Sequence, residues 1–300
     1  MKRTRANLIL LTVIAGAALG QPQAPEDRAI AYLAKEVREW PEKNKCFSCH
    51  NNGDGARALL IAMRHGKVVP SDALRDTLDW LARPSDWDIA AKNPAISDKV
   101  LATIQFASAL TEVPLAQRAA LVKSAELLVS HQKPDGSWKI DEGSVGSPAT
   151  YGTALATYAA IRALQAPQNG EFSEPVERGR AWLKNQKPLS VPDTAAAMLA
   201  GVARHSDLLV GWQNGDGGWG PWAKTPSEPF DTAVALLALQ RYGTARTAVA
   251  KGRAYLINTQ HPPGGWPETT RPSGGQSYAQ HISTTAWATI ALLETYPERN

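Results

Sequence analysis

From about residue 26 to the C-terminus, apolar side chains recur at the three-to-four-residue spacing of helices, and no segment alternates like a half-buried strand. Two kinds of helical segment take turns. One kind is rich in Ala and apolar nearly all round. The other, near residues 26–40, 71–83, 115–131, 174–186, 205–212 and 245–259, is apolar on one face only. The fully apolar segments open on a shared signature: Tyr151-Gly152-Thr153-Ala154-Leu155, Asp193-Thr194-Ala195-Ala196, Asp231-Thr232-Ala233-Val234 and Thr284-Thr285-Ala286-Trp287. Their threonines 153, 194, 232 and 285 lie 41, 38 and 53 residues apart, the length of one helical hairpin plus a variable loop. Gly53-Asp54-Gly55-Ala56 and Ser97-Asp98-Lys99-Val100 open two weaker copies, with helices expected to about His65 and Leu110. Helices apolar all round belong inside and amphipathic ones outside, so six pairs predict an inner ring of six helices within an outer ring of six. The expected fold is all-α, an (α/α)6 toroid. Asp193 and Asp231, each at the head of a helix, read as N-caps.

The connecting loops carry a second repeat. Gln132-Lys133-Pro134-Asp135-Gly136-Ser137-Trp138, Gln213-Asn214-Gly215-Asp216-Gly217-Gly218-Trp219 and Gln260-His261-Pro262-Pro263-Gly264-Gly265-Trp266 resemble the Gln-Trp repeats of the squalene-hopene cyclase and prenyltransferase superfamily. Gln can bond backbone groups at a helix end, Gly permits the turn and Trp covers the next hairpin, so the motif reads as a staple between repeats. The loop at Gln186-Lys187-Pro188 lacks its Trp, and the loop around Trp87 lacks its Gln. The resemblance implies a terpenoid-cyclase-like barrel with a cavity, its mouth near Glu228, Asp231, Asp193 and Trp219. Squalene-hopene cyclases protonate their substrate with Asp-x-Asp-Asp directly before a Thr-Ala pair. Glu228-Pro229-Phe230-Asp231-Thr232-Ala233 aligns with that motif, but Phe230 stands where the proton-donating carboxyl belongs. On that ground, and because 280 residues furnish one barrel where such cyclases use two, the protein is expected to lack alkene-protonating activity.

The two cysteines of the chain form Cys46-Phe47-Ser48-Cys49-His50. This spacing suits two thioether bonds to one covalent haem c with iron held through His50. A disulfide, a redox dithiol or half of a zinc site fits less well, since no βαβ pattern and no second ligand pair accompany the motif. His281, ahead of the last inner helix, is the leading side-chain candidate for the distal iron ligand, before Met198 and His261, with an open or water-bound iron as the alternative. Met63 and His65 lie about ten residues down a helix, roughly 15 Å away.

Composition and charge change the picture at one end of the chain. Lys2, Arg3 and Arg5, an apolar run from Leu8 to Leu19 and the small-residue site Ala18-Leu19-Gly20 read as a signal peptide over residues 1–20, leaving residues 21–300 as a single domain. Its removal lowers the net charge from +4 to +1, which leaves no nucleic-acid footprint. No later run is long and apolar enough for a transmembrane anchor. The expected protein is exported, periplasmic or secreted. Its leading functional reading is a monohaem c-type protein acting in electron transfer or in redox or ligand sensing, with a periplasmic redox partner. The alternative is an enzyme acting on an apolar, isoprenoid-like molecule in the toroid cavity, a cyclase-like isomerase or haem oxidoreductase. Whether the chain is catalytic stays open at this level.

Overall fold

The structure, a computed structural model, describes residues 23–89, 98–141, 151–168, 170–243, 245–271 and 276–295. The expected signal peptide lies outside the described residues. Twelve α-helices follow one another among them: α1 (Pro25–Asn44), α2 (Ala56–Arg64), α3 (Arg75–Leu81), α4 (Lys99–Leu110), α5 (Arg118–His131), α6 (Gly152–Leu164), α7 (Ser173–Asn185), α8 (Val191–Leu199), α9 (Ser206–Gly211), α10 (Pro229–Arg241), α11 (Arg246–Thr259) and α12 (Tyr278–Glu294). The even-numbered helices contact one another in order, and α12 returns to α2, so they form a closed inner ring. The odd-numbered helices lie outside, against their inner neighbours. The alternation of fully apolar and one-faced helices is thus realised as expected: α12 buries every residue from Ala279 to Leu293 except His281, whereas α7 buries only Pro175, Val176, Gly179 and Leu183.

The Gln-Trp loops act as staples. Trp138, Trp219 and Trp266 are fully buried, and each indole N–H donates to the carbonyl ten residues earlier, on Leu128, Leu209 and Leu256. The three backbone amides donate to Thr157, Thr232 and Thr285 of the following inner helix. Each glutamine donates to a glycine carbonyl within its own turn and to the head of the next outer helix: Gln132 to Pro175, Gln213 to Ala248. Gln260 reaches Pro25 at 2.9 Å, so the last staple joins the end of the chain to its beginning. The turn glycines Gly136, Gly217 and Gly264 have φ of 96°, 89° and 104°, where a side chain is strained and would also strike backbone of the next outer helix. Gln260→Ala removes three hydrogen bonds of the closing staple, the two it donates and one it accepts from Arg28, and is expected to cost about 1–3 kcal/mol. Urea unfolding at unchanged slope checks it.

Between α1 and α2 the chain departs from a plain helix. Cys49–Gly55 forms a π-helical segment, capped by Ser48, which accepts a bond from the Asn51 amide. Pro41 inside α1 has no N–H to offer the Val37 carbonyl, and the Asn52 side chain donates to that carbonyl at 3.2 Å. Asn51 donates to the Glu36 carbonyl and to the Tyr278 hydroxyl. Gly53 and Gly55 admit close neighbours: a Cβ at either would lie 2.9 Å from Gln105 or Val37 side-chain carbon.

Candidate functional site

The inner ring holds an open cavity of about 300 Å³, lined by five of the six inner helices, α2, α6, α8, α10 and α12, and by Glu112 just beyond the end of α4. Its lining comes largely from their middle and C-terminal turns: Ile61, Tyr158, Leu199, Leu237, Trp287 and Ile290 supply an apolar and aromatic wall. Arg57, Arg64, Arg162 and Arg241, with Glu112 and Glu294, supply the charge. The volume sits at the small end of ligand pockets, which run from about 300 to 1,000 Å³.

Behind the wall lies a fully buried carboxyl. Trp287, which lines the cavity, donates its indole N–H to the Tyr151 hydroxyl at 2.8 Å, and that hydroxyl donates to Asp54 Oδ1 at 2.6 Å. Gln105 donates to Asp54 Oδ2 at 2.6 Å, and Ser283 adds a further bond. Burial pushes the Asp54 carboxyl above the usual carboxylate range, and it outweighs these hydrogen bonds and the charge of Arg57. Tyr151, Phe230 and Trp287 form an aromatic cluster with ring centres 5.5–6.0 Å apart. Phe230, the residue at the cyclase acid position, is therefore part of the same cluster that touches Asp54. Asp54 was legible only as the head of a weak repeat; its correspondence to Asp231 and Asp193 was the available signal.

The residues expected at the cavity mouth stand at the other end of the inner helices and are not among its lining. Asp193 and Asp231 are not N-caps. Ser190 caps α8 with a bond from the Asp193 amide, and both aspartates sit inside the first turn. Asp231 is fully buried and accepts two 2.8 Å bonds from Arg271, while desolvation pushes its carboxyl up to about 7. Glu228 accepts from the Thr270 amide and hydroxyl. Trp219 is wholly a staple.

At the cysteine motif, Cys46 and Cys49 are free and partly exposed. His50 is buried, burial holds its imidazole neutral with a pKa lowered to about 3, and its Nε2 has no hydrogen-bond partner. Trp40 and Tyr278 meet the His50 ring edge-to-face at 4.8 and 5.6 Å, and the Trp40 indole nitrogen is also without a partner. Two free thiols beside an orphaned, neutral imidazole nitrogen fit the donor set of haem attachment. His281 turns elsewhere: its Nε2 lies 3.1 Å from the Tyr32 hydroxyl and its Nδ1 3.7 Å from Glu268.

No family model matches the chain. Individual relatives do. A drimenyl diphosphate synthase of Streptomyces showdoensis is 34% identical over 172 residues, 57% of this chain and 27% of the relative. A squalene–hopene cyclase of Bradyrhizobium diazoefficiens is 27% identical over 71% of this chain and 41% of the relative. The chain thus spans less than half the length of the curated relatives it matches. In fold, the type II terpene cyclase MstE of Scytonema, solved with geranylgeranyl dihydroxybenzoate, superposes at a TM-score of 0.57 and 13% identity, covering 90% of this chain and 97% of that one. The chain is a terpenoid-cyclase-like α/α toroid. Glycosidases share this architecture at a TM-score of 0.52 and 11% identity, so the fold by itself does not set the chemistry.

These relatives overturn the leading functional reading. Electron transfer or redox sensing finds no counterpart among them, whereas the curated ones are cyclases or diphosphate synthases. Among the described residues no group of three or more His, Cys, Asp or Glu gathers in a way that can hold a metal ion. The cysteine motif is a loud local signal, but it covers five residues, whereas the relatives match the toroid that surrounds it.

Proposed function

We propose that the toroid is an enzyme that holds an apolar, isoprenoid-like substrate in its central cavity and isomerises it in the manner of a cyclase. The observation that carries this reading is the coupling of an aromatic cavity wall to a buried acid, from Trp287 through Tyr151 to Asp54. Protonating a carbon–carbon double bond requires a positioned acid in a dry site, and the resulting carbocation is stabilised by aromatic faces. Trp287 and Tyr158, the aromatic rings on the cavity wall, offer the faces. Asp54, whose carboxyl burial pushes above the usual carboxylate range, offers the proton. The Tyr151 hydroxyl gives its proton to one alkene carbon as it takes the Asp54 proton in exchange, a step for which Trp287, the wall residue in front of both, must turn aside. Loss of a neighbouring C–H proton restores the alkene and recharges the acid, so the step consumes no co-reactant. Incubating the full chain with squalene and with shorter isoprenoids, followed by gas chromatography and mass spectrometry, tests the reading. New isomers that vanish in Tyr151→Phe support it, and unchanged substrate in every case contradicts it.

A second proposal concerns the cysteine motif and is favoured by the orphaned His50 Nε2. Cys46 and Cys49 would hold one haem c by thioether bonds and His50 would ligate its iron, a group that supplies one-electron chemistry when bound. Such attachment takes place after export, which agrees with the signal-peptide reading of residues 1–20. Protein made in cells competent for cytochrome c maturation is expected to stain for haem after denaturing electrophoresis and to gain one haem in mass. A colourless band of unmodified mass contradicts the proposal.

A further inference from the structure

Buried nitrogens without a partner gather at the turn between α1 and α2. Among the described residues, the buried side-chain polar atoms that form no hydrogen bond include Trp40 Nε1, His50 Nε2 and Trp80 Nε1. Trp40, in the last turns of α1, meets the His50 ring edge-to-face at 4.8 Å. Trp80, in α3, lies flat on Phe47 with ring centres 4.7 Å apart. Both indoles therefore stand against residues of the Cys46–His50 motif, one from each of two outer helices. An indole N–H can only donate, and burying it without an acceptor costs stability. Other buried indoles are satisfied: Trp138, Trp219 and Trp266 donate to carbonyls of their outer helices, Trp87 to the Trp80 carbonyl and Trp287 to Tyr151. The same turn also lacks a staple. Each Gln-Trp loop fills the passage from an outer helix to its inner neighbour and reaches forward to the next outer helix. Between α1 and α2 the cysteine motif fills that passage, and residues 45–55 contain neither glutamine nor tryptophan. The forward link to α3 is the bond from Asn52 to the Thr77 hydroxyl at 2.9 Å, together with the stack of Phe47 on Trp80.

Resting on the haem reading of this motif, we propose that Trp40 and Trp80 donate their indole N–H groups to the two propionate carboxylates of the haem, so that α1 and α3 are joined through it as a Gln-Trp staple joins later outer helices. A haem brings one iron and two carboxylates. The turn offers one unpartnered imidazole nitrogen and two unpartnered nitrogens that can only donate. Hydrogen bonds to an ionised carboxylate are roughly twice as strong as neutral ones, so the two bonds would turn a cost of the turn into a tie across it. A disulfide or a bound metal ion would leave both indoles unsatisfied. In this role the haem holds the first turn of the toroid and calls for no redox partner.

The full chain matured in cells competent for cytochrome c maturation, and its haem-free counterpart carrying Cys46→Ser and Cys49→Ser, test the proposal when each also receives Trp40→Phe or Trp80→Phe. Phenylalanine keeps an aromatic ring in place and deletes the N–H. In the haem-bearing chain each change is expected to lower the urea midpoint and to shift the propionate bending band of the resonance Raman spectrum. In the haem-free chain the same change costs packing alone and removes an unsatisfied donor. The drop in midpoint is therefore expected to be at least about twice as large with haem attached as without it. Indoles that merely pack would lose equally in both backgrounds. Equal losses, or a propionate band that neither change moves, overturn the proposal while a positive haem stain leaves attachment standing. A colourless band from the unmutated chain overturns attachment and this proposal together.

Discussion

Asp54→Asn is expected to lower turnover of an isoprenoid substrate by roughly a hundredfold or more, the usual contribution of a positioned acid. Asparagine keeps the size of the side chain and can still accept from Tyr151 or Gln105, but it has no proton to give. The loss should fall on kcat with KM little changed, because Asp54 is buried behind Trp287 and does not line the cavity. A merely structural role would instead lower the melting temperature and disturb both constants. The pH profile supplies a second readout. Burial raises the Asp54 pKa, so its acid form persists above the ordinary carboxylate range. Activity that depends on that proton is full at lower pH and declines as the pH rises through the raised value. Turnover that survives in Asp54→Asn with its pH profile intact would remove Asp54 from the reaction.

Trp266→Ala carries the largest expected cost in stability. The side chain is fully buried, its N–H is bonded to Leu256, and it sits in the loop whose Gln260 closes the ring onto Pro25. Removing a core tryptophan costs about 3–5 kcal/mol, a large share of the roughly 5–15 kcal/mol that holds a domain folded. The variant should unfold at markedly lower denaturant concentration. A shift no larger than that of Gln260→Ala would mean that the staples are not what closes the toroid.

Why the toroid was readable and the site was not follows from sequence distance. A Gln-Trp turn writes its needs within seven residues: a glutamine for the turn carbonyl, a glycine at positive φ and a tryptophan that reaches back to a carbonyl ten residues earlier. The rings and helix order follow from repetition of that unit. The acid network has no such local signature. Asp54 meets Gln105, Tyr151 and Trp287 only because the ring closes, and within its own segment it reads as one more polar residue at a helix head. Asp231 and Asp193 suffered the same reading as caps, although Ser190 does the capping for α8. The cavity was sought at the N-terminal ends of the inner helices, where the Gln-Trp loops drew attention. Arginines in final turns look like ordinary dipole partners until Arg57 is seen buried among them. The Cys46–His50 motif pulled the functional reading toward electron transfer because it is compact and familiar, while the relatives belong to the toroid around it.

The most direct test of the central claim, that the toroid rearranges an isoprenoid by protonating it, is turnover in deuterium oxide. The Asp54 proton exchanges with solvent, so a product formed by protonation should carry one deuterium on carbon and gain one mass unit, whereas recovered substrate should carry none. Product without solvent deuterium, or deuterium incorporated equally by Asp54→Asn, would contradict it.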